Sequence, residues 1–217
     1  PSEFLKQKLS ANGFEEEKIH CIPTFTASKT KVGEPQIGSY GLYFGRITEE
    51  KGVETVVQAY EKLQKYTVKI MGDDTTEEAI RLKRYIKEHK IKNIEFLGFK
   101  SGEELEDIIK GARFTLIPSI WYDNLPNTAL ESFQYSKPVI ASNIGSLPEL
   151  VVDGENGYLF KPADAEDLIK KIKLLDDDTV VEKMGAASRR RLESRFSPET
   201  HYEALMKVFS EAVKNNK

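Results

Sequence analysis

From residue 40 onward, short and almost unbroken apolar runs alternate with longer stretches whose apolar residues recur every three or four positions. The runs YGLYFG (40–45), YTVKIMG (66–72), NIEFLGF (93–99), ARFTLIP (112–118), KPVIAS (137–142) and GYLF (157–160) read as strands. Strands that are apolar on both faces are covered on both faces, as in parallel sheets. Helices are predicted between them over 52–64 and 76–89, from Ser101 onward, over 126–136 and over 147–152. Val53, Val56, Val57, Tyr60 and Leu63 share one face of the first helix, and Leu105, Ile108 and Ile109 share one after Ser101. Ser101 with Glu104 has the spacing of a capping box. Past the last strand, Asp164 can cap a helix carrying Leu168, Ile172 and Leu175, and further helices are expected over 179–195 and 198–214. Strand–helix alternation with short links implies an α/β fold: a doubly wound, Rossmann-like parallel sheet with extra C-terminal helices.

The first 38 residues do not follow this rhythm. Residues 1–13 read as a helix that Ser2 can cap and Gly13 can end. Residues 19–26 (IHCIPTFT) read as a short strand containing Pro23. The polar segment 27–38, with its Gly and Pro residues, reads as a linker. A division follows: a helix-and-strand piece over 1–26, a linker over 27–38 and the main domain over 39–217. The chain begins with Pro1 rather than Met, which suggests a piece of something longer.

Composition narrows the classes. The 217 residues are 39% apolar and 31% charged, as in ordinary globular proteins. The formal net charge of -3 lacks the basic excess of a nucleic-acid footprint, so no nucleic-acid partner is expected. No apolar run approaches the roughly 20 residues of a membrane span. The single cysteine, Cys21, cannot form an internal disulfide, which suits a cytoplasmic location; it reads as a small core residue. Arg189, Arg190, Arg191 and Arg195 cluster on one helix. A solvated face is the favoured reading, and peripheral contact with the inner face of a membrane is the alternative. Asp176, Asp177 and Asp178 read as a polar helix terminus.

In doubly wound sheets, ligands bind beyond the carboxyl ends of the strands at the switch point, here between the first and fourth strands. The loops after Gly45 and after Pro118 should therefore face each other. The first, GRITEEKG (45–52), lacks G-x-G-x-x-G spacing but offers Arg46 and Lys51. A guanidinium and an ammonium beside a helix N-terminus suit phosphate oxygens; two solvated cations are the competing reading. The second, PSIWYDNLPNTALE (118–131), places Pro126 at a first helical position. The amides of Asn127 and Thr128 would then be free donors, and Glu131 would share a face with Asn127. A carboxylate can hold two neighbouring hydroxyls, so Glu131 and Asp123 are candidates for sugar contacts. The competing readings make Glu131 a dipole-favoured helical residue and Asp123 or Asn124 a cap. Trp121 and Tyr122 either line the site or pack its loop. His20, His89 and His201 are scattered, and no metal-ligand cluster is evident.

GRITEEKG, MGDD, FLGFKSGEEL, PSIWYDNLPNTALES, KPVIAS, GSLPELVVDGENGYLF and DLIKKIKLL occur in that order. Together they resemble the C-terminal, nucleotide-sugar-binding domain of retaining glycosyltransferases of family 4, which have the GT-B fold, over roughly residues 38–214. Residues 1–26 resemble the end of the N-terminal domain. The resemblance implies metal-independent transfer of a hexose-type sugar from a nucleoside diphosphate to a glycan or lipid-linked acceptor, as in polysaccharide biosynthesis. No cofactor is implied; the nucleotide sugar is a substrate, with a UDP-sugar expected over a GDP-sugar. By the same resemblance, Arg46 and Lys51 bind the diphosphate, Glu131 the ribose and Asp123 the sugar. Arg46, Lys51 and Asp123 are then the catalytic set. Asn127 and Thr128 contact phosphate through their amides, Phe99 and Leu105 surround the base, and Gly72 borders the cleft. The chain departs from the family pattern in having Asp rather than Glu at 123, Asn124-Leu125-Pro126 after it, and Ile144-Gly145 for a Gly-Gly pair. The N-terminal acceptor domain is largely missing, so the fragment alone is expected to be inactive. A GT-B sugar-nucleotide epimerase and a non-catalytic nucleotide-binding module are the alternatives.

Overall fold

The structure, a computed structural model, describes residues 2–26 and 36–215. Six strands form one parallel sheet: β1 (Tyr40–Phe44), β2 (Val68–Met71), β3 (Ile94–Gly98), β4 (Ala112–Ile117), β5 (Val139–Ser142) and β6 (Gly157–Phe160). Their order across the sheet is β3-β2-β1-β4-β5-β6. Register runs Tyr43 beside Ile70 on one side and Leu116 on the other. The chain reverses its direction of travel across the sheet between β1 and β4, so these two strands flank the switch point.

The helices are α1 (Glu3–Ala11), α2 (Val53–Lys62), α3 (Glu77–Glu88), α4 (Gly102–Lys110), α5 (Asn127–Gln134), α6 (Leu147–Leu150), α7 (Ala165–Lys173), α8 (Asp178–Arg195) and α9 (Pro198–Asn215). Side chains alternate across the sheet with period two. Tyr43, Phe114, Leu116 and Ile140 join the core under α2, α3 and α7. Their neighbours Leu42 and Phe44 join α4 on the opposite face, and Val139 and Ala141 join α5, α6 and α8 there. Val53, Val56, Val57, Tyr60 and Leu63 are all buried, the face their spacing predicts.

Three local expectations change. Residues 19–26 form no strand; a short 3-10 turn at Glu16–Lys18 precedes an irregular segment. Pro23 has no N–H to give a ladder. Its carbonyl instead accepts from the His201 ring at 2.8 Å, and Phe25 packs on the same ring. Cys21 accordingly lies half-buried in irregular chain rather than in a strand. The capping box is also absent: Ser101 makes no side-chain cap bond, and Glu104 pairs with Lys100 at 2.7 Å. Finally, Pro126 is the N-cap of α5, with extended ψ, rather than its first helical residue. The caps expected at Ser2 and Asp164 do form, accepting from Leu5 N and Asp167 N. Of the expected linker, residues 27–35 lie outside the described residues.

Candidate functional site

The loops after β1 and β4 are joined at the switch point. The Ile120 amide donates to the Glu50 carbonyl at 3.0 Å. Gly52 has φ +66°, and a Cβ there would lie 2.1 Å from the Pro118 carbonyl oxygen. Only glycine permits both the left-handed backbone and that approach. Gly72 serves β2 similarly, since a Cβ would lie 2.0 Å from the Gly45 carbonyl oxygen.

A cavity of about 470 Å³ opens at these strand ends. Arg46, Gly72, Phe99, Leu105, Thr128 and Glu131 line it, six of the nine residues singled out from sequence. Its walls are largely apolar, with Phe44, Ile47 and Met71 contributing. Phe99, which lines the cavity, is 75% exposed. Glu131 is half-buried, and desolvation pushes its carboxyl above the usual carboxylate range. Arg46 is exposed and forms no ion pair among the described residues. Its carbonyl accepts from the Tyr43 hydroxyl, which burial pushes well above its ordinary value.

Lys51, Asp123 and Asn127 do not line this cavity. Lys51 and Asp123 meet each other instead, with Nζ 2.5 Å from Oδ1. Asp123 Oδ2 also accepts from Ser119 Oγ. Asn127 is exposed and does not line the cavity, whereas Thr128 and Glu131 on the same helix do. The amides of Asn127 and Thr128 have no backbone acceptor among the described residues, leaving two donors at the start of α5. Neither Asp123 nor Asn124 caps that helix.

The segment before α5 is held from two sides. Leu125 is buried with φ +52°, and its amide donates to Ser146 Oγ at 2.8 Å. Ser146 Oγ in turn donates to the Asp123 carbonyl at 2.6 Å. From the other side, Ser2 Oγ donates to Asn124 Oδ1 at 2.9 Å, and Phe4 packs on Tyr122 with ring centroids 4.9 Å apart. The Glu149 carboxylate accepts the amides of Glu3 and Phe4, anchoring the start of α1. Tyr122 thus packs against α1 while staying about half exposed, and Trp121 is more exposed still.

Sequence reasoning did not single out Asp73, Thr76 and Lys100, which also line the cavity. Asp73 and Lys100 directly follow Gly72 and Phe99, so the rule that sites gather beyond strand ends applies to them equally. Thr76 caps α3 and donates to the Ile47 carbonyl at 2.7 Å, tying that helix to the first loop. The arginine cluster is partly structural: Arg189 reaches Glu193 and the Gln134 carbonyl, and Arg191 reaches the Glu149 carbonyl. Asp177 caps α8, and Asp178 pairs with Arg113 at 2.6 Å.

The family model for glycosyl transferases group 1 matches residues 25–191. Glycosyltransferase MJ1178 of Methanocaldococcus jannaschii is 28% identical over 173 residues, 80% of this chain and 48% of that protein. Among solved structures, a glycosyltransferase from Rickettsia africae superposes with TM-score 0.87 at 23% identity, covering 99% of this chain and 62% of that one. Anabaena Alr3699/HepE, solved in complex with UDP and glucose, gives TM-score 0.73 at 20% identity, covering 80% of this chain and 48% of that one. The chain spans about half the length of the curated relatives it matches.

Proposed function

The chain belongs to the glycosyl transferases group 1 family, and from that membership we propose that it is the donor-binding half of a retaining, metal-independent glycosyltransferase of family 4. The carrying observation is the cavity at the switch point, where Arg46, Thr128 and Glu131 meet apolar walls. Such a pocket, apolar with a few convergent polar groups, suits a small ligand. The donor is a nucleoside diphosphate sugar. Its base lies against Phe99 and Leu105, beside Gly72, and its ribose hydroxyls meet Glu131. Its phosphates meet Arg46, Lys51 and the free amides of Asn127 and Thr128, and Asp123 stands at the sugar end. A UDP-sugar is favoured over a GDP-sugar; the likeness to a protein solved with UDP supports that preference.

In the proposed reaction the sugar's bond to the diphosphate breaks, and a bond to an acceptor hydroxyl forms on the same face. Negative charge accumulates on the leaving diphosphate. Arg46 and Lys51 accelerate the step to the extent that they hold this charge more tightly in the transition state, each by roughly 2–4 kcal/mol. The acceptor, a glycan or a lipid-linked hydroxyl, would be held by an N-terminal domain, and this chain alone would transfer nothing. Among the described residues no helix is long and apolar enough to cross a membrane. A cytoplasmic site of action completes the reading; the arginines of α8 keep their reading as a solvated face, with peripheral membrane contact as the alternative.

A thermal-shift panel of UDP, GDP, ADP and their common sugar conjugates tests it. A ligand at 100 times its Kd stabilises by about 2.7 kcal/mol, a readily measured shift. The reading expects a UDP-type ligand to stabilise most. No shift with any nucleotide would remove the donor site, and sugar transfer by the 217-residue chain would remove the fragment assignment.

A further inference from the structure

Of the two cations assigned to the donor's phosphates, one is free and one is not. Arg46 is exposed, lines the cavity and forms no ion pair among the described residues. Lys51 is bound to Asp123 at 2.5 Å, with side-chain exposures of only 19% and 17%. The pairing is built in from both loops. Lys51 ends the 3-10 turn Glu49–Lys51, and Gly52 brings that turn onto the Pro118 carbonyl. The bond between Ile120 N and Glu50 O fastens the two loops beside the pair. On the Asp123 side, Ser119 Oγ holds the second carboxylate oxygen and Ser146 Oγ holds the main-chain carbonyl. Both oxygens of Asp123 thus have partners before any sugar arrives.

We propose that Asp123 is an internal counter-anion for Lys51: it competes with the donor's diphosphate for that ammonium and thereby sets how tightly the cleft holds nucleotides. This rests on the donor-site reading above. An arriving diphosphate meets Arg46 without hindrance. To gain Lys51 it must take the ammonium from a partly desolvated carboxylate, and it is repelled by that same carboxylate. The charge of Asp123 also adds to burial in raising the Tyr43 hydroxyl, which donates to the Arg46 carbonyl. Asp123 is therefore a positioning residue that acts on the donor through Lys51. Competition of this kind weakens the grip on a spent nucleotide and favours its release.

Calorimetric titration of the 217-residue chain with UDP, and separately with GDP, tests the proposal. Asp123→Asn keeps the shape and the Ser119 contact while removing the charge. The variant should bind the preferred sugar-free diphosphate on the order of tenfold more tightly, equivalent to about 1.4 kcal/mol. In a Lys51→Met background the same change should tighten binding by no more than about threefold, because the competition for the ammonium is gone and only the repulsion by the carboxylate is left to remove. Uridine and guanosine, which carry no phosphate, should bind alike to wild type and variant. Unchanged or weakened diphosphate binding in Asp123→Asn overturns the competition. If sugar-bearing donors alone weaken, Asp123 contacts the sugar directly instead. Absence of nucleotide binding to the wild type overturns the donor-site reading itself, and the competition falls with it. Thermal melting of each variant verifies that it is folded before titration.

Discussion

Replacing Lys137 by methionine gives a stability difference whose pH dependence can be worked from the structure. Lys137 lies in the turn before β5 and is 1% exposed. Its ammonium donates to the carbonyls of Gln36 and Lys110, each at 2.6 Å, and no ion pair to it is found among the described residues. Burial pushes its pKa down to about 8. An unfolded lysine titrates near 10.4, so the charged form carries a desolvation cost of about 3 kcal/mol at neutral pH. The sign follows from proton counting. Between pH 8 and about 10.4 the unfolded chain binds more protons at this site than the folded chain, so stability contributed by this group rises with pH. Below pH 8 the cost is present in full. Methionine removes both the cost and the titration, but it strands two carbonyls at about 1–3 kcal/mol each. Near pH 7 the two effects offset, and Lys137→Met should lie within about 2 kcal/mol of wild type. From pH 8 to about 10.4 the wild type should gain about 3 kcal/mol over the variant. Urea denaturation of both proteins across this range measures the difference, and every other titrating group cancels in it. A wild-type-minus-variant difference that stays flat from pH 7 to 10 would refute the reasoning.

Arg46→Ala should weaken sugar-free and sugar-bearing nucleotides alike, by about 1.5–3 kcal/mol, as read by calorimetry; selective loss of one class would contradict its place on the phosphates. Glu131→Gln should weaken ligands with a ribose and also remove a contribution that makes stability fall with rising pH. Because burial raises the Glu131 carboxyl, the folded state binds the extra proton, and stability falls as pH rises from the free-glutamate value through the raised one; urea melts between pH 4 and 7 should show this slope in the wild type and not in the variant. Gly52→Ala should cost more than about 1 kcal/mol, since a Cβ meets the Pro118 carbonyl at 2.1 Å in a left-handed backbone. An unshifted urea midpoint for Gly52→Ala would show that the two loops yield easily.

The sheet was legible because its six apolar runs are short, separated and flanked by helical periodicity; each becomes a strand within two residues of its expected ends. The strand expected at 19–26 failed because apolar character there serves contacts with His201, and a single apolar run does not reveal its partner. Ser101 and Glu104 have capping-box spacing, yet Glu104 pairs with Lys100 one turn earlier and Ser101 makes no cap bond, which the spacing alone does not reveal. At the site, the strand-end rule located the cavity and led to Arg46, Thr128 and Glu131, whereas Gly72, Phe99 and Leu105 came from the family resemblance. The Lys51–Asp123 pair was not legible. The two residues lie 72 positions apart, and only the close approach allowed by Gly52 brings them together. Nor does helical spacing alone separate Asn127 from Glu131: the two share a face by spacing, yet only Glu131 lines the cavity.

The strand order has a further consequence, for the time course of folding. The cavity takes residues from the ends of β1, β2, β3 and the start of α5, so no contiguous stretch of chain contains a smaller version of it. The pairing of β1 with β4 spans two intervening strands and three helices, and such long loop closures come late. A partly folded chain that has joined β1 to β2 but not yet to β4 possesses Arg46 and Gly72 but has not brought Glu131 to meet them. The cavity is in this sense a property of the completed sheet, and any ligand it takes, the proposed nucleotide included, has no finished site until the fourth strand has found the first.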